Sequence, residues 1–182
     1  MTAPATLLTN SPKTFIGQVD PNYYVDYYEL LNHPDVKPFI PAIHVPVDHK
    51  AAKANLTTLA NMQDHDEGIY WGLYSSNHLI GTVGLHTWDK NKNTIEISYE
   101  IHPDYTGYGL ATLACKYCVN FTIHNTNVDK ILAYTLTDNV PSHRVAEKSG
   151  FTRTGILRNN CLYNGNLIDR LLFTYSCTDD DA

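Results

Sequence analysis

The stretch DYTGYGLAT, residues 104–112, sets Gly107 and Gly109 around one tyrosine between two hydrophobic runs. Upstream, TIEISYEIH alternates apolar and polar residues as a strand does, and downstream LATLACKYCVNFTIHN has helical spacing. The glycines therefore sit where a strand hands over to a helix. Unpaired N–H groups and the positive end of the helix dipole point outward there, so a diphosphate could rest on that end. Glycine lets backbone approach a ligand without a Cβ in the way, but it also serves any tight turn. The pattern is neither G-x-G-x-x-G nor G-x-x-x-x-G-K-[ST], so the dinucleotide and nucleoside-triphosphate fingerprints do not apply. Cradle and plain turn both remain open from this stretch alone.

Working outward, TFIGQV reads as a strand. PNYYVDYYELLNH reads as a helix capped by Asp20, and DHKAAKANLTTLANMQ as a second helix capped by Asp48. Pro34, Pro38, Pro41 and Pro46 make the segment between them an irregular loop. IYWGLYSS and HLIGTVGLHTW form a hairpin turning near Ser76 and Asn77, and KNKN leads into TIEISYEIH. After the glycine motif and its helix, KILAYTL is a strand and NVPSHRVAEKSG a helix ending at Gly150. FTRTGILRN and NLIDRLLFTYS close the chain as a hairpin through Tyr163, Asn164 and Gly165. The expected fold class is mixed α/β (α+β), a mostly antiparallel central sheet with helices on both faces. One domain spanning 1–182 is expected, with loose ends at about 1–12 and 177–182.

Composition narrows the function classes. At 182 residues, 43% hydrophobic and 18% charged, the chain is long and apolar enough for a packed core. A net charge of −6 argues against a nucleic-acid partner, which needs a basic footprint. No run approaches the ~20 apolar residues of a membrane span, and the N-terminus lacks a signal-peptide pattern, so the expected compartment is the cytoplasm. Cys115 and Cys118 form a C-x-x-C with no second ligand pair; their i, i+3 spacing in an apolar helix reads as two structural thiols. The nine histidines show no metal spacing, so no metal is expected.

A second constellation decides what the glycines are for. NVPSHRVAEKSGF, residues 139–151, follows the glycine motif across one helix and one strand. Together the two resemble the GNAT superfamily of N-acetyltransferases, in which a glycine-bearing loop binds the diphosphate of acetyl-CoA. An N-x-x-S-x-R-x-x-E-K-x-G-F helix lies beside the pantetheine arm in that family. Asn139, Ser142, Arg144, Glu147, Lys148, Gly150 and Phe151 match that pattern position by position. The closing LYNGNLIDRLLFT, with Asp169 after its Asn-Gly turn, resembles the RimJ/RimL-type branch that acetylates ribosomal-protein N-termini. The resemblance implies cofactor contacts at Ile101, Thr106, Gly107, Tyr108, Gly109, Leu110, Ala111, Thr112, Asn139 and Ser142. Thr106 stands where the family commonly carries Arg or Gln, and is expected to offer a hydroxyl donor instead.

Acetyl transfer to an amine needs a base for the amine proton, donors for the developing oxyanion, and an acid or donor for the leaving thiolate. Glu96, Ser98 and Glu100 share one face of TIEISYEIH, with Ile95, Ile97, Tyr99 and Ile101 on the other. The resemblance makes Glu96 the favoured base and Glu100 the second candidate. The tyrosine that often acts as acid is replaced here by Ala146, so Ser142 is the implied substitute, and Cys161 takes the place of a glutamate of that branch. No nucleophilic cysteine is implied, because the family reacts by direct attack in a ternary complex. Tyr23, Tyr24, Tyr27 and Tyr28 could contact the acceptor or simply pack, and Asp48, Asp64 and Asp66 could form an acidic approach if the fold gathers them. The implied partners are acetyl-CoA and a primary amine: a protein N-terminus, or a polyamine, amino acid or antibiotic. A non-catalytic acyl-CoA-binding module is the alternative from another class. Monomer and homodimer are both compatible with the sequence.

Overall fold

The computed structural model describes residues 6–10, 12–65, 67–163 and 165–178. Its eight strands are β1 (Thr6–Asn10), β2 (Lys13–Gln18), β3 (Gly68–Ser75), β4 (His78–Asp89), β5 (Thr94–Ile101), β6 (Lys130–Leu136), β7 (Thr152–Tyr163) and β8 (Asn166–Ser176). They form one sheet in the order β1-β2-β3-β4-β5-β6-β8-β7, antiparallel except where β5 meets β6. Four α-helices join them: α1 (Tyr24–Asn32), α2 (His49–Asn61), α3 (Leu110–Asn125) and α4 (Val140–Lys148). Among the described residues no helix is long and apolar enough to cross a membrane.

The helices cover both faces, as expected. Val19, Leu79, Tyr70 and Tyr74 pack under α1 and α2, while Trp71, Val83, Leu85, Ile95 and Ile97 pack under α3. Helix α3 buries Leu110, Ala114, Cys115, Cys118, Val119 and Thr122, a single stripe that repeats every third or fourth residue. Cys115 and Cys118 are thus core side chains, and burial pushes both thiols up, away from the reactive thiolate form. Asp48 caps α2 by accepting from Ala51 N, and Asn139 caps α4 by accepting from Ser142 N. Residues 6–10 correct the expectation of a loose start through residue 12, since β1 pairs antiparallel with β2. The Asn164 turn position and the tail beyond Thr178 lie outside the described residues.

Two features of the sheet position the site. First, β5 and β6 are parallel neighbours over only Thr94–Lys130, Ile95–Ile131 and Glu96–Leu132, and then part, although both strands continue. A gap therefore opens between residues 97–101 and 133–136. Second, Gly84 lets the Tyr70 ring lie flat across β4, where a Cβ would sit 2.4 Å from ring carbons. The Tyr70 hydroxyl thereby reaches Ser98 Oγ at 2.9 Å on β5. Gly84→Val is expected to displace that ring and lower stability by about 1–3 kcal/mol, the usual cost of overpacking. A denaturant midpoint equal to that of the wild type would contradict the constraint.

Candidate active site

The parting strands open into a cleft of about 1360 Å³. Glu96, Glu100, Ile101, Thr106, Ala111, Asn139 and Ser142, seven of the residues expected from sequence, line it together. Gly107, Tyr108, Gly109, Leu110 and Thr112 form the neighbouring start of α3 rather than the cleft wall itself. Gly107 and Gly109 hold φ values of +83° and +75°, and a Cβ at either would meet nothing within 4 Å. Glycine is needed there for its left-handed backbone, and the space beside it is open to a ligand. No side chain caps this helix, so the first-turn N–H groups and the dipole's positive end face outward. Leu110 is 1% exposed, which leaves only its backbone N–H to offer a ligand. Thr106 departs from its expected role: its hydroxyl donates to Pro103 O at 2.8 Å and serves its own turn.

The sheet face toward α1 and α2 carries the acidic groups. Thr82 Oγ1 donates to Glu100 Oε2 at 2.7 Å. Burial still dominates and pushes the Glu100 carboxyl up to about 7, with the Thr82 bond opposing it. Burial also raises Glu96, but the Arg170 guanidinium pulls it back. His86 lies directly across the β4–β5 ladder from Glu96 and stacks on Tyr70 with centroids 5.9 Å apart. Burial, then the neighbouring His44, lowers His86 to about 4, so its imidazole is neutral at neutral pH.

On the opposite face, Tyr99 reaches across to α4. Its hydroxyl donates to Ser142 O at 3.0 Å and lies 2.9 Å from Ser142 Oγ. Of the four α1-region tyrosines, Tyr27 alone lines the cleft; Tyr23 packs on Tyr74, and Tyr24 and Tyr28 meet His49 edge-on. Asp48 is spent as a helix cap, Asp64 sits in a 3-10 turn away from the cleft wall, and Asp66 lies outside the described residues. Asp35 and Glu67 line the cleft instead. Among the described residues no group of three or more potential ligands gathers to hold a metal.

Thr82, Tyr99, His86 and Arg170 were not singled out from the sequence. Tyr99 depends on where α4 docks, while Thr82 and His86 meet the two glutamates through cross-strand register. Thr87, at φ +52°, shifts the β4–β5 pairing by one between His86 and Asp89. Counted from the turn without that shift, Glu100 would face Val83 and not Thr82, and no local sequence signal marks the bulge.

With a glycine-started helix beside a parted strand pair, the comparisons with known proteins agree on the class. Residues 15–152 match the family described as "Acetyltransferase (GNAT) domain", and the chain belongs to that family of N-acetyltransferases. YoaA of Bacillus subtilis (strain 168), an uncharacterized N-acetyltransferase, is 31% identical over 65% of this chain and 68% of its own length. The ribosomal-protein-S5-alanine acetyltransferase of Vibrio fischeri superposes with a TM-score of 0.81 at 17% identity, covering 98% of each chain. Mycobacterium smegmatis RimJ, solved with CoA-disulfide, gives 0.82 at 16% identity, over 96% of this chain and 86% of that one. The microcin C7 self-immunity acetyltransferase MccE, solved with acetyl-CoA and AMP, gives 0.80 at 16% identity, over 93% and 98%. At these identities the solved structures show the shared fold.

Proposed function

We propose that the chain acts in the cytoplasm, transferring the acetyl group of acetyl-CoA to a primary amine by direct attack in a ternary complex. The foremost acceptor class is the α-amino group of a protein N-terminus. The observation that carries this reading is the parting of β5 from β6, which connects the glycine-started helix to the carboxylates of β5 in one cleft. The residues fit the cosubstrate: open space at Gly107 and Gly109, outward N–H groups for a diphosphate, and a slot for an extended arm.

Acetyl-CoA supplies the activated acyl group. Glu100 takes the proton from the incoming ammonium, because a base that titrates near neutrality is charged often enough to act yet still holds a proton well. This reverses the order expected from sequence. Glu96, raised by burial and pulled back in part by the Arg170 guanidinium, is the second carboxylate on the wall that faces the acceptor. Ser142 stands on the thiol side, held by Tyr99.

Tyr163 donates to Pro38 O and ties the β7–β8 hairpin to the loop whose Phe39 and Ile40 line the acceptor side. Two acceptor classes fit a cleft lined by these residues: an extended N-terminus and, as the second reading, a small amine. A thiol-release assay with acetyl-CoA across peptides and small amines separates them. Turnover with peptides is the expected result, turnover with small amines alone selects the second reading, and CoA binding without any turnover would leave the non-catalytic module.

A further inference from the structure

Thr135 lies on β6 where that strand has left β5, and its register partner on β8 is Leu171. Along β6, Ile131, Ala133 and Thr135 alternate with Leu132, Tyr134 and Leu136. Ile131 and Ala133 belong to the core under α3, so Thr135 faces the same side, toward α4. It is 5% exposed and borders the cleft with Tyr99, Asn139 and Ser142. Among its neighbours, the Tyr99 hydroxyl lies on Ser142, and Asn139 Oδ1 accepts from Ser142 N. The Thr135 hydroxyl, by contrast, has no hydrogen-bond partner among the described residues.

A buried hydroxyl without a partner costs the protein about 1–3 kcal/mol, whereas an apolar isostere there would cost nothing. Valine has the β-strand preference and shape of threonine and would fill the site. A hydroxyl at this place is therefore suited to a polar group that enters the slot. The slot is the path of an extended, amide-bearing chain, whose carbonyls need donors once they leave water.

We propose that Thr135 is a cosubstrate-binding residue whose hydroxyl donates a hydrogen bond to the pantetheine arm of acetyl-CoA. This rests on the acetyl-CoA reading above. Tyr99 complements it as a positioning residue. With the Ser142 carbonyl as a standing acceptor for Tyr99, the Ser142 hydroxyl is free to turn toward the same arm without leaving the phenol unpaired.

The test compares wild type, Thr135→Val and Thr135→Ser by thermal unfolding and by calorimetric titration with CoA and with adenosine 3′,5′-diphosphate, which lacks the arm. Thr135→Val is expected to unfold at a higher temperature than wild type in the absence of ligand, yet to bind CoA about fivefold more weakly. Its affinity for adenosine 3′,5′-diphosphate should match wild type, and Thr135→Ser should recover CoA affinity. These movements in opposite directions separate a ligand-binding hydroxyl from a structural one, which would lower stability when removed. Wild-type CoA affinity in Thr135→Val, or equal weakening toward both ligands, would overturn the assignment while leaving the acetyl-CoA reading intact. Failure of wild type itself to bind CoA would overturn both.

Discussion

Gly109→Asp is expected to remove measurable CoA binding while leaving the protein folded. Gly109 occupies the N-cap of α3 at φ +75°, a region that aspartate tolerates better than most residues. A Cβ there meets no atom within 4 Å, so nothing in the free protein has to move. The carboxylate would occupy the space in which the first-turn N–H groups meet a diphosphate, setting like charges against each other. Unit charges about 4 Å apart at a protein surface interact by ~4 kcal/mol, roughly a thousandfold in affinity. A CoA titration and a melting curve on the same sample check both halves. Unchanged affinity in a folded variant would show that the glycine motif is only a turn.

Glu100→Gln is expected to lower kcat by about a hundredfold to a thousandfold, the usual contribution of a positioned base, while CoA affinity stays close to wild type. Glutamine keeps the shape and can still accept from Thr82, so the loss isolates the proton-accepting role. The wild-type rate should rise with pH through a midpoint near 7, and that limb should vanish in the variant. Stability gives an independent reading of the same group. Its folded-state value lies above the ordinary 4.5, so the native state holds the proton more tightly than the unfolded chain. That contribution is fully present below pH 4.5 and is lost as pH rises to about 7, up to roughly 3 kcal/mol in all. Glu100→Gln lacks this loss and should be more stable than wild type above neutrality. A variant with wild-type kcat would return the base assignment to Glu96, for which the matching Glu96→Gln substitution is the control.

Much of this site was legible as sequence because its parts are local. The strand, two glycines and helix of residues 94–125 announce themselves through alternation, positive-φ residues and 3.6-residue spacing. The end of α4 at Gly150, which holds φ +94°, is an equally local signal. The same locality explains the misses. Residues 6–10 carry little strand signal of their own and become β1 by pairing with β2. Thr106 carries a hydroxyl of the right kind for phosphate, but Pro103 O, three residues back, claims it first. The preference for Glu96 over Glu100 was drawn without burial, which is a property of α1 and β4 closing over one face. Register was the deepest barrier, because the shift at Thr87 turns each later partner on β4 to the other face.

The most direct measurement of the central claim follows the acetyl group by mass. The protein is incubated with acetyl-CoA alone, and then with acetyl-CoA and a peptide bearing a free N-terminus. The account predicts that the protein mass stays unchanged in the first mixture. In the second, N-acetyl peptide and free CoA should appear one for one, at a rate that Glu100→Gln reduces. An acetyl group accumulating on the protein, for example on Cys161 in the cleft wall, would contradict direct attack. CoA release with no acetylated amine, peptide or small molecule, would contradict the transfer itself.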